Sequence, residues 1–502
     1  MKKYILLCFF AFQVVTYAQY TTIPDVSFEN KLISLGLDTG NPDGKVLTAS
    51  IETVTVLYID NANISDLTGI QDFVALQELY CYYNALSTVD FSKNTALTIL
   101  QCYHNQLINL NFSENSNLEY LDCSNNGLSS LDLSFNTALK TLYCVSNQII
   151  SLEFTKNLAL EKVFCHGNQL TTLNVSQNSL LNTLSCYTNS LTSLNISKNK
   201  VLNRLDCSRN QLKNLDVSQN INLDYFVFTN NQLVSIDTKQ NLKLTYLSCS
   251  SNELTDLDVS KNVALKNLSC SSNQIASLNV SQNSALETLI CGSNVLTILD
   301  LTANVALNNL IVSNNQLTVI NVSKHTALTR LECNNNLLTE LDVSNNKLLE
   351  FFRCDSNKLS SLNLKNGNNT KLSFSYSNYP NFTNNTALSC ILVDNTSYAE
   401  TNWDSKKDVS ASFSENCSLG INDSFLSTIA LYPNPTNGVL HIDNVSLEKA
   451  IVYDALGHTM KTFLFHKGLI NSSLDLSNLS KGIYFVLLEN EGGASTQKVV
   501  VE

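Results

Sequence analysis

The sequence predicts a mainly β fold, a solenoid of about 14–15 short 21-residue coils followed by a small C-terminal β-sandwich. Three observations carry this reading. Asparagine recurs fourteen times at a fixed step of 21 residues, as Asn84, Asn105, Asn126, Asn147, Asn168, Asn189 and onward to Asn357. Around each runs an alternation of two, such as Leu121-x-Cys123, which sets both side chains on one face of a short strand. After Cys417 the period is lost, and short alternating runs separated by turn residues replace it.

The elements follow in chain order. Lys2 and Lys3 precede an apolar run, Tyr4 to Phe12, and Ala18 precedes Gln19, the layout of a secretory signal peptide over residues 1–18. That run is too short for a permanent anchor and no later stretch reaches 18 consecutive apolar residues, so the mature chain is expected to have no membrane span. Residues 19–52 read as an N-terminal cap. Within it Phe28, Leu32 and Leu35 stand at helical spacing, with Ser27 as the expected N-cap.

The solenoid occupies 53–373, opening with a degenerate copy that has Ala62 where Asn belongs. A good copy is marked by Leu118, Leu121, Cys123, Asn126, Leu128, Leu131, Leu133, Ser134 and Asn136. One coil cannot bury its own leucines, but coils stacked ~4.8 Å apart close a continuous core. So short a coil leaves no room for a regular helix beside two strand-like runs. The Asn series is a structural ladder: where the chain turns out of the strand, an amide supplies both a donor and acceptors to inward-facing backbone groups. A second ladder, Asn94, Asn115, Asn136 and onward, recurs in twelve of the fourteen coils, with His325 and Gly367 as its exceptions.

This pattern resembles the leucine-rich repeat in its short bacterial, internalin-like form. The resemblance covers roughly residues 53–373 and implies a right-handed leucine-rich repeat solenoid.

Twelve cysteines, from Cys81 to Cys354, fill one slot of the repeat, and Phe228 and Val312 fill it in the other two coils. A slot that accepts Phe and Val asks for apolar volume, so free buried thiols are expected there. In-register neighbours lie ~4.8 Å apart, whereas a disulfide needs Cβ atoms near ~3.8 Å. Cys390 and Cys417 stand outside the repeat, within a C-terminal cap expected over 374–420, and are expected to form a disulfide that staples it.

Residues 421–502 form a different module. Tyr432-Pro433-Asn434-Pro435-Thr436-Asn437-Gly438, then Lys481-Gly482-Ile483-Tyr484-Phe485-Val486-Leu487-Leu488, then Lys498-Val499-Val500-Val501-Glu502 resemble the type A sorting domain of type IX secretion. The resemblance implies passage through the periplasm of a Gram-negative cell and a second step read by the type IX machinery. The product would then be secreted or held at the outer surface.

Charge narrows the function. With 43 acidic against 31 basic residues the net charge is −12, which opposes nucleic acid and anionic membrane surfaces as partners. No G-x-S-x-G, H-E-x-x-H, P-loop or dinucleotide fingerprint is present, so neither catalysis, nor a cofactor, nor a metal site is expected. Outward strand positions near the amino end instead carry Tyr80, Tyr82, Tyr83, Tyr103, Tyr120, Tyr143, Phe164 and Tyr187. Farther on the same positions turn to Ser248, Ser250, Ser269 and Ser271. Aromatics gathered on one rigid face point to capture of a protein or glycan ligand, that is, recognition or adhesion. Two other readings stand beside it: an envelope spacer with no specific ligand, and a calcium-stabilised solenoid in which Asp216, Asp237 and Asp258 share a ladder of Asp and Asn.

Overall fold

The computed structural model describes residues 18–372, 380–417, 431–443, 446–465, 472–490 and 493–502. The signal peptide expected over 1–18 lies outside them, Ala18 excepted. The chain divides into two compact units, Met1–Phe413 and Ser414–Glu502.

In the first unit, fifteen three-residue strands, from Val56–Tyr58 to Phe351–Arg353, form one parallel sheet. Each strand pairs in register with the equivalent strand of the next coil, as in Tyr120↔Thr141, Leu121↔Leu142 and Asp122↔Tyr143. Because the side chains alternate, the central leucine of each strand and the cysteine that follows point inward, and both columns are fully buried. The second apolar run, Leu131-x-Leu133 and its equivalents, is strand-like only in places. It forms isolated bridges at Glu153, Asn174 and Asn195, and a separate sheet at the carboxyl end through Glu340–Asp342, Ser361–Asn363, Cys390–Leu392 and Ser412–Ser414.

The two Asn ladders bind coil to coil by different chemistry. In the first, Asn105 Nδ2 donates to Cys81 O and Cys102 O, both at 3.0 Å, while Oδ1 accepts the Leu86 N–H at 3.0 Å. In the second, Asn115 Nδ2 donates to Phe91 O at 3.1 Å and Asn94 O at 2.9 Å. His325 stands in this second ladder, 1% exposed, and reaches only one of the two carbonyls, Leu301 O at 3.2 Å from Nε2. At the expected exception Gly367 the ladder is not broken. It slips by one residue, and Asn366 Nδ2 donates to Asn346 O at 3.1 Å.

The stack also runs past residue 373. Asn385 Nδ2 donates to Cys354 O at 3.1 Å and Phe382 O at 2.9 Å, and Oδ1 accepts the Leu359 N–H at 3.2 Å, the first-ladder pattern after a longer step. Trp403 and Phe413 pack edge-on against Phe382 and cover the last coil.

At the amino end a helix spans Val26–Ser34, and its N-cap is Asp25 rather than Ser27. Asp25 Oδ1 accepts the N–H groups of Ser27 and Phe28 at 2.8 and 3.0 Å, and Oδ2 accepts those of Ser65 and Asp66 at 2.8 and 3.0 Å. One carboxylate therefore caps the helix and fastens it to the first coil, which a serine hydroxyl is too short to do. Partial burial pushes its pKa up, but these hydrogen bonds win and hold it below the usual range. Gly69, at φ 104°, lies under this cap, where a Cβ would meet Ile23 Cδ1 at 2.3 Å.

The second unit holds two antiparallel sheets around one core. Leu431–Tyr432, Val439–Ile442 and Ser472–Asp475 form one sheet, and Lys449–Tyr453, Thr459–Leu464, Gly482–Asn490 and Gly493–Val501 form the other. Leu440, Ile442 and Leu474 from the first meet Val452, Val486 and Val499 from the second.

Candidate functional site

The leucine and cysteine columns point inward, so each coil shows three side chains on the open face of the parallel sheet, for example Tyr120, Asp122 and Ser124. The residue after them turns the chain out of the strand in the left-handed region. Tyr83, His104, Asn125, Ser146, Gly167, Thr188 and Arg209 all have φ between 51° and 67°. This turn lets its own N–H reach the next coil, as His104 N–H does to Ser124 O at 3.0 Å. Sequence reasoning missed this column, although the Asn, Ser and Gly that precede most of the ladder Asn residues are its signal.

Seven of the eight aromatic residues expected on the strand face lie there, and Tyr83 stands beside them in the turn column. Equivalent side chains of neighbouring coils sit one strand spacing apart, which is also a ring-stacking distance. They therefore stack along the solenoid: Tyr82–Tyr103 at 4.5 Å and 7°, Tyr143–Phe164 at 4.3 Å and 3°, with Tyr120 tilted against Tyr143 at 5.7 Å. Stacking leaves seven of the eight half-buried; Tyr83, at 52% exposed, is the exception and lies flat against His104 at 4.4 Å.

The stacks also include residues the sequence reading passed over. Tyr58 stacks on Tyr80 at 4.5 Å, His166 on Tyr187 at 4.0 Å, and Tyr225 on Tyr246 at 4.7 Å, so the aromatic surface runs farther toward the carboxyl end than expected. Beyond it Ser250 and Ser269 meet through their hydroxyls at 2.8 Å.

Carboxylates lie among the rings. Tyr80 OH donates to Glu78 at 2.8 Å, and burial together with that bond pushes its phenol up to about 12. Burial likewise raises Asp122, against the hydrogen bonds it accepts from Ser124. Burial lowers His166, whose Nδ1 lies 3.1 Å from Ser185 Oγ.

On the opposite side the Asp and Asn ladder has a local explanation. Asp90, Asp132, Asp216, Asp258 and Asn111 each accept, through Oδ1, the N–H two residues on at 2.8–3.0 Å. That turn needs only an acceptor, which is why Asp and Asn alternate there. Among the described residues no group of three or more His, Cys, Asp or Glu is placed to hold a metal ion.

The twelve repeat cysteines are free and fully buried, and burial raises every one of their thiols. Cys390 and Cys417 are each disulfide-bonded.

Known proteins place this architecture. Residues 430–502 match the family described as the secretion system C-terminal sorting domain. That match addresses the chain to type IX secretion, which delivers its cargo to the outer surface or the medium. The functional domain of InlJ from Listeria monocytogenes, described as including a cysteine ladder, is similar with a TM-score of 0.62 at 25% identity, over 97% of this chain and 100% of that one. A leucine-rich repeat protein of Leptospira interrogans follows at 0.55 and 25%, over 66% and 93% of the two chains. YopM from Yersinia enterocolitica gives 0.53 and 25%, over 61% and 70%. No curated protein matches.

Proposed function

Starting from a leucine-rich repeat solenoid exported by its C-terminal sorting domain, we propose that this protein recognises a protein or glycan partner outside the cell through the open face of its parallel sheet. One observation supports this above the rest: the face is divided. Its amino half, and on as far as Tyr246, carries stacked aromatics interleaved with carboxylates. The coils from Asn267 to Ser313 carry mostly Asn, Ser, Thr and Ile on the same scaffold, and the ion pairs Arg330–Glu332 and Arg353–Asp355 follow. Coil stacking needs neither set, since both halves share the same leucines, ladder asparagines and strand register. The repeat fold is generally non-catalytic, and binding is the work that fits it.

The test is to change Tyr82, Tyr103 and Tyr143 to Ser in the secreted protein and measure partner capture by the cell-surface or purified form. Capture should be lost. Each stacked pair contributes about 0.5–1.5 kcal/mol, so the melting temperature should fall only slightly. Replacing Tyr225 and Tyr246 removes a comparable stack at the margin and serves as the control. Undiminished capture by the triple variant would leave the solenoid as a spacer.

A further inference from the structure

The strand face contains the same arrangement twice. Tyr82, Tyr103, Asp122 and Ser124 are followed 84 residues on, which is four coils, by His166, Tyr187, Asp206 and Ser208. In each copy two rings stack, Tyr82–Tyr103 at 4.5 Å and His166–Tyr187 at 4.0 Å. In each copy the next coil puts a buried serine where a third ring would stand, Ser124 and Ser208 at 6% and 8% exposed. The outer faces of Tyr103 and Tyr187 thus meet no further stacked ring among the described residues, and each looks over a step in the surface. Beside each step a half-buried aspartate accepts its own serine N–H through Oδ1, at 3.0 Å in both copies. Both phenols register that carboxylate: burial raises Tyr103 and Tyr187 first, and Asp122 or Asp206 adds to it.

We propose that Tyr103–Asp122–Ser124 and Tyr187–Asp206–Ser208 are two equivalent subsites for uncharged sugar rings of one glycan chain, about 19 Å apart by strand spacing. This rests on the strand-face reading above and names its ligand. The flanks of the two copies decide the ligand's charge. Asp60 lies beside Tyr82 in the first copy, and Arg209 lies beside Tyr187 in the second. A cationic side chain would suit the first and be opposed by Arg209 at the second; an anionic group would be drawn to Arg209 but opposed by Asp206 beside it and by Asp60 and Asp122 at the first. A neutral polyhydroxylated ring suits both. Its C–H face packs on the open tyrosine face, its hydroxyls donate to the aspartate, and the exposed Arg209 or its counterpart Asn125 donates back.

The experiment uses the full-length secreted protein on a glycan array, followed by calorimetry with the best oligosaccharide in a long form and a short form unable to reach both subsites. The short form should bind wild type at two sites per chain, and Tyr103→Ala or Tyr187→Ala at one. For the long form each single variant should lose about 10²-fold in affinity as bivalent binding becomes monovalent, and the double variant should not bind. Asp206→Asn keeps the Oδ1 acceptor that the serine turn needs, so it should fold as wild type and weaken the short form about tenfold at that site. One site per chain in wild type, or unchanged affinity in both tyrosine variants, overturns the paired subsites. No bound glycan on the array, with capture of a protein partner still lost in the triple serine variant, overturns the sugar assignment and leaves the strand-face reading standing. Capture retained in the triple serine variant removes both.

Discussion

Asn210 offers a direct measure of what the first ladder contributes. Its Nδ2 donates to Cys186 O and Cys207 O at 3.1 Å and to Ser208 O at 3.2 Å, and its Oδ1 accepts the Leu191 N–H at 2.9 Å. Truncation in Asn210→Ala does not orphan all four groups. Cys186 O keeps Asn189 Nδ2 at 3.0 Å, Cys207 O keeps Asn231 Nδ2 at 3.1 Å, and Ser208 O keeps the Thr188 N–H at 2.9 Å. Among the described residues Leu191 N–H has no second acceptor. One stranded buried donor plus three weakened acceptors should cost about 2–4 kcal/mol. Asn210→Asp reverses the chemistry, because the Leu191 acceptor survives while a carboxylate oxygen faces three carbonyls. A buried charge without donors costs several kcal/mol, so the Asp variant should be the less stable of the two at neutral pH. Its folded-state pKa would be raised, so the penalty belongs to the ionised form and fades as pH falls through that value. Denaturant and thermal unfolding of both variants, at neutral and mildly acidic pH, would show the Asp variant recovering on acidification relative to Ala. An Asp variant as stable as Ala at neutral pH would refute this account of the ladder.

Other outcomes follow from the same geometry. His325→Asn should raise stability by about 1 kcal/mol, since Asn would donate to Asn304 O as well as Leu301 O; a loss of stability in unfolding curves would count against it. Thiol reagents should find about twelve reactive groups after denaturation under non-reducing conditions and almost none before, because the repeat cysteines are fully buried. Peptide mapping of the same sample should recover Cys390 linked to Cys417, and any other linkage would be evident by mass. Deleting residues 425–502 should strand the protein in the periplasm, with fractionation as the readout and unchanged export as the contrary result.

The repeat made most of this solenoid readable without coordinates, because each buried column is a property of sequence spacing. Leu121 must face inward if Asn126 recurs every 21 residues, whatever the neighbours are. What was not readable depends on contacts across sequence distance. Asp25 outcompetes Ser27 as cap because its second oxygen also serves Ser65 and Asp66, residues far along the chain. Asn385 belongs to the ladder although the step from Asn357 is longer, and only its bonds to Cys354 O and Leu359 N–H reveal it. The aromatic residues were identifiable as outward-facing, but their stacking depends on column as well as face. Tyr82 and Tyr103 share a column and stack at 4.5 Å, whereas Tyr120 and Tyr143 stand in adjacent columns and meet only at 39°.

The left-handed column shows where the chain departs from what coil stacking requires. Asn, Ser and Gly fill most of it: Gly and Asn enter this region at little cost, and Ser bears the smallest side chain of the residues strained by it. Tyr83, His104, Thr188 and Arg209 are larger, and each pays of order 1–2 kcal/mol for its conformation. All four lie in the amino half, beside the ring stacks. Tyr83 and His104 recover part of that cost by stacking on each other at 4.4 Å, a contribution of about 0.5–1.5 kcal/mol. Among the described residues Thr188 and Arg209 have no ring stack of that kind, so that contribution does not offset their strain. Their positions, immediately after Tyr187 and Ser208, put the uncompensated residues at the second of the two tyrosine–aspartate steps. A surface shaped only by the needs of neighbouring coils would have Asn or Ser at both, as it does at Asn230, Ser251 and Ser272.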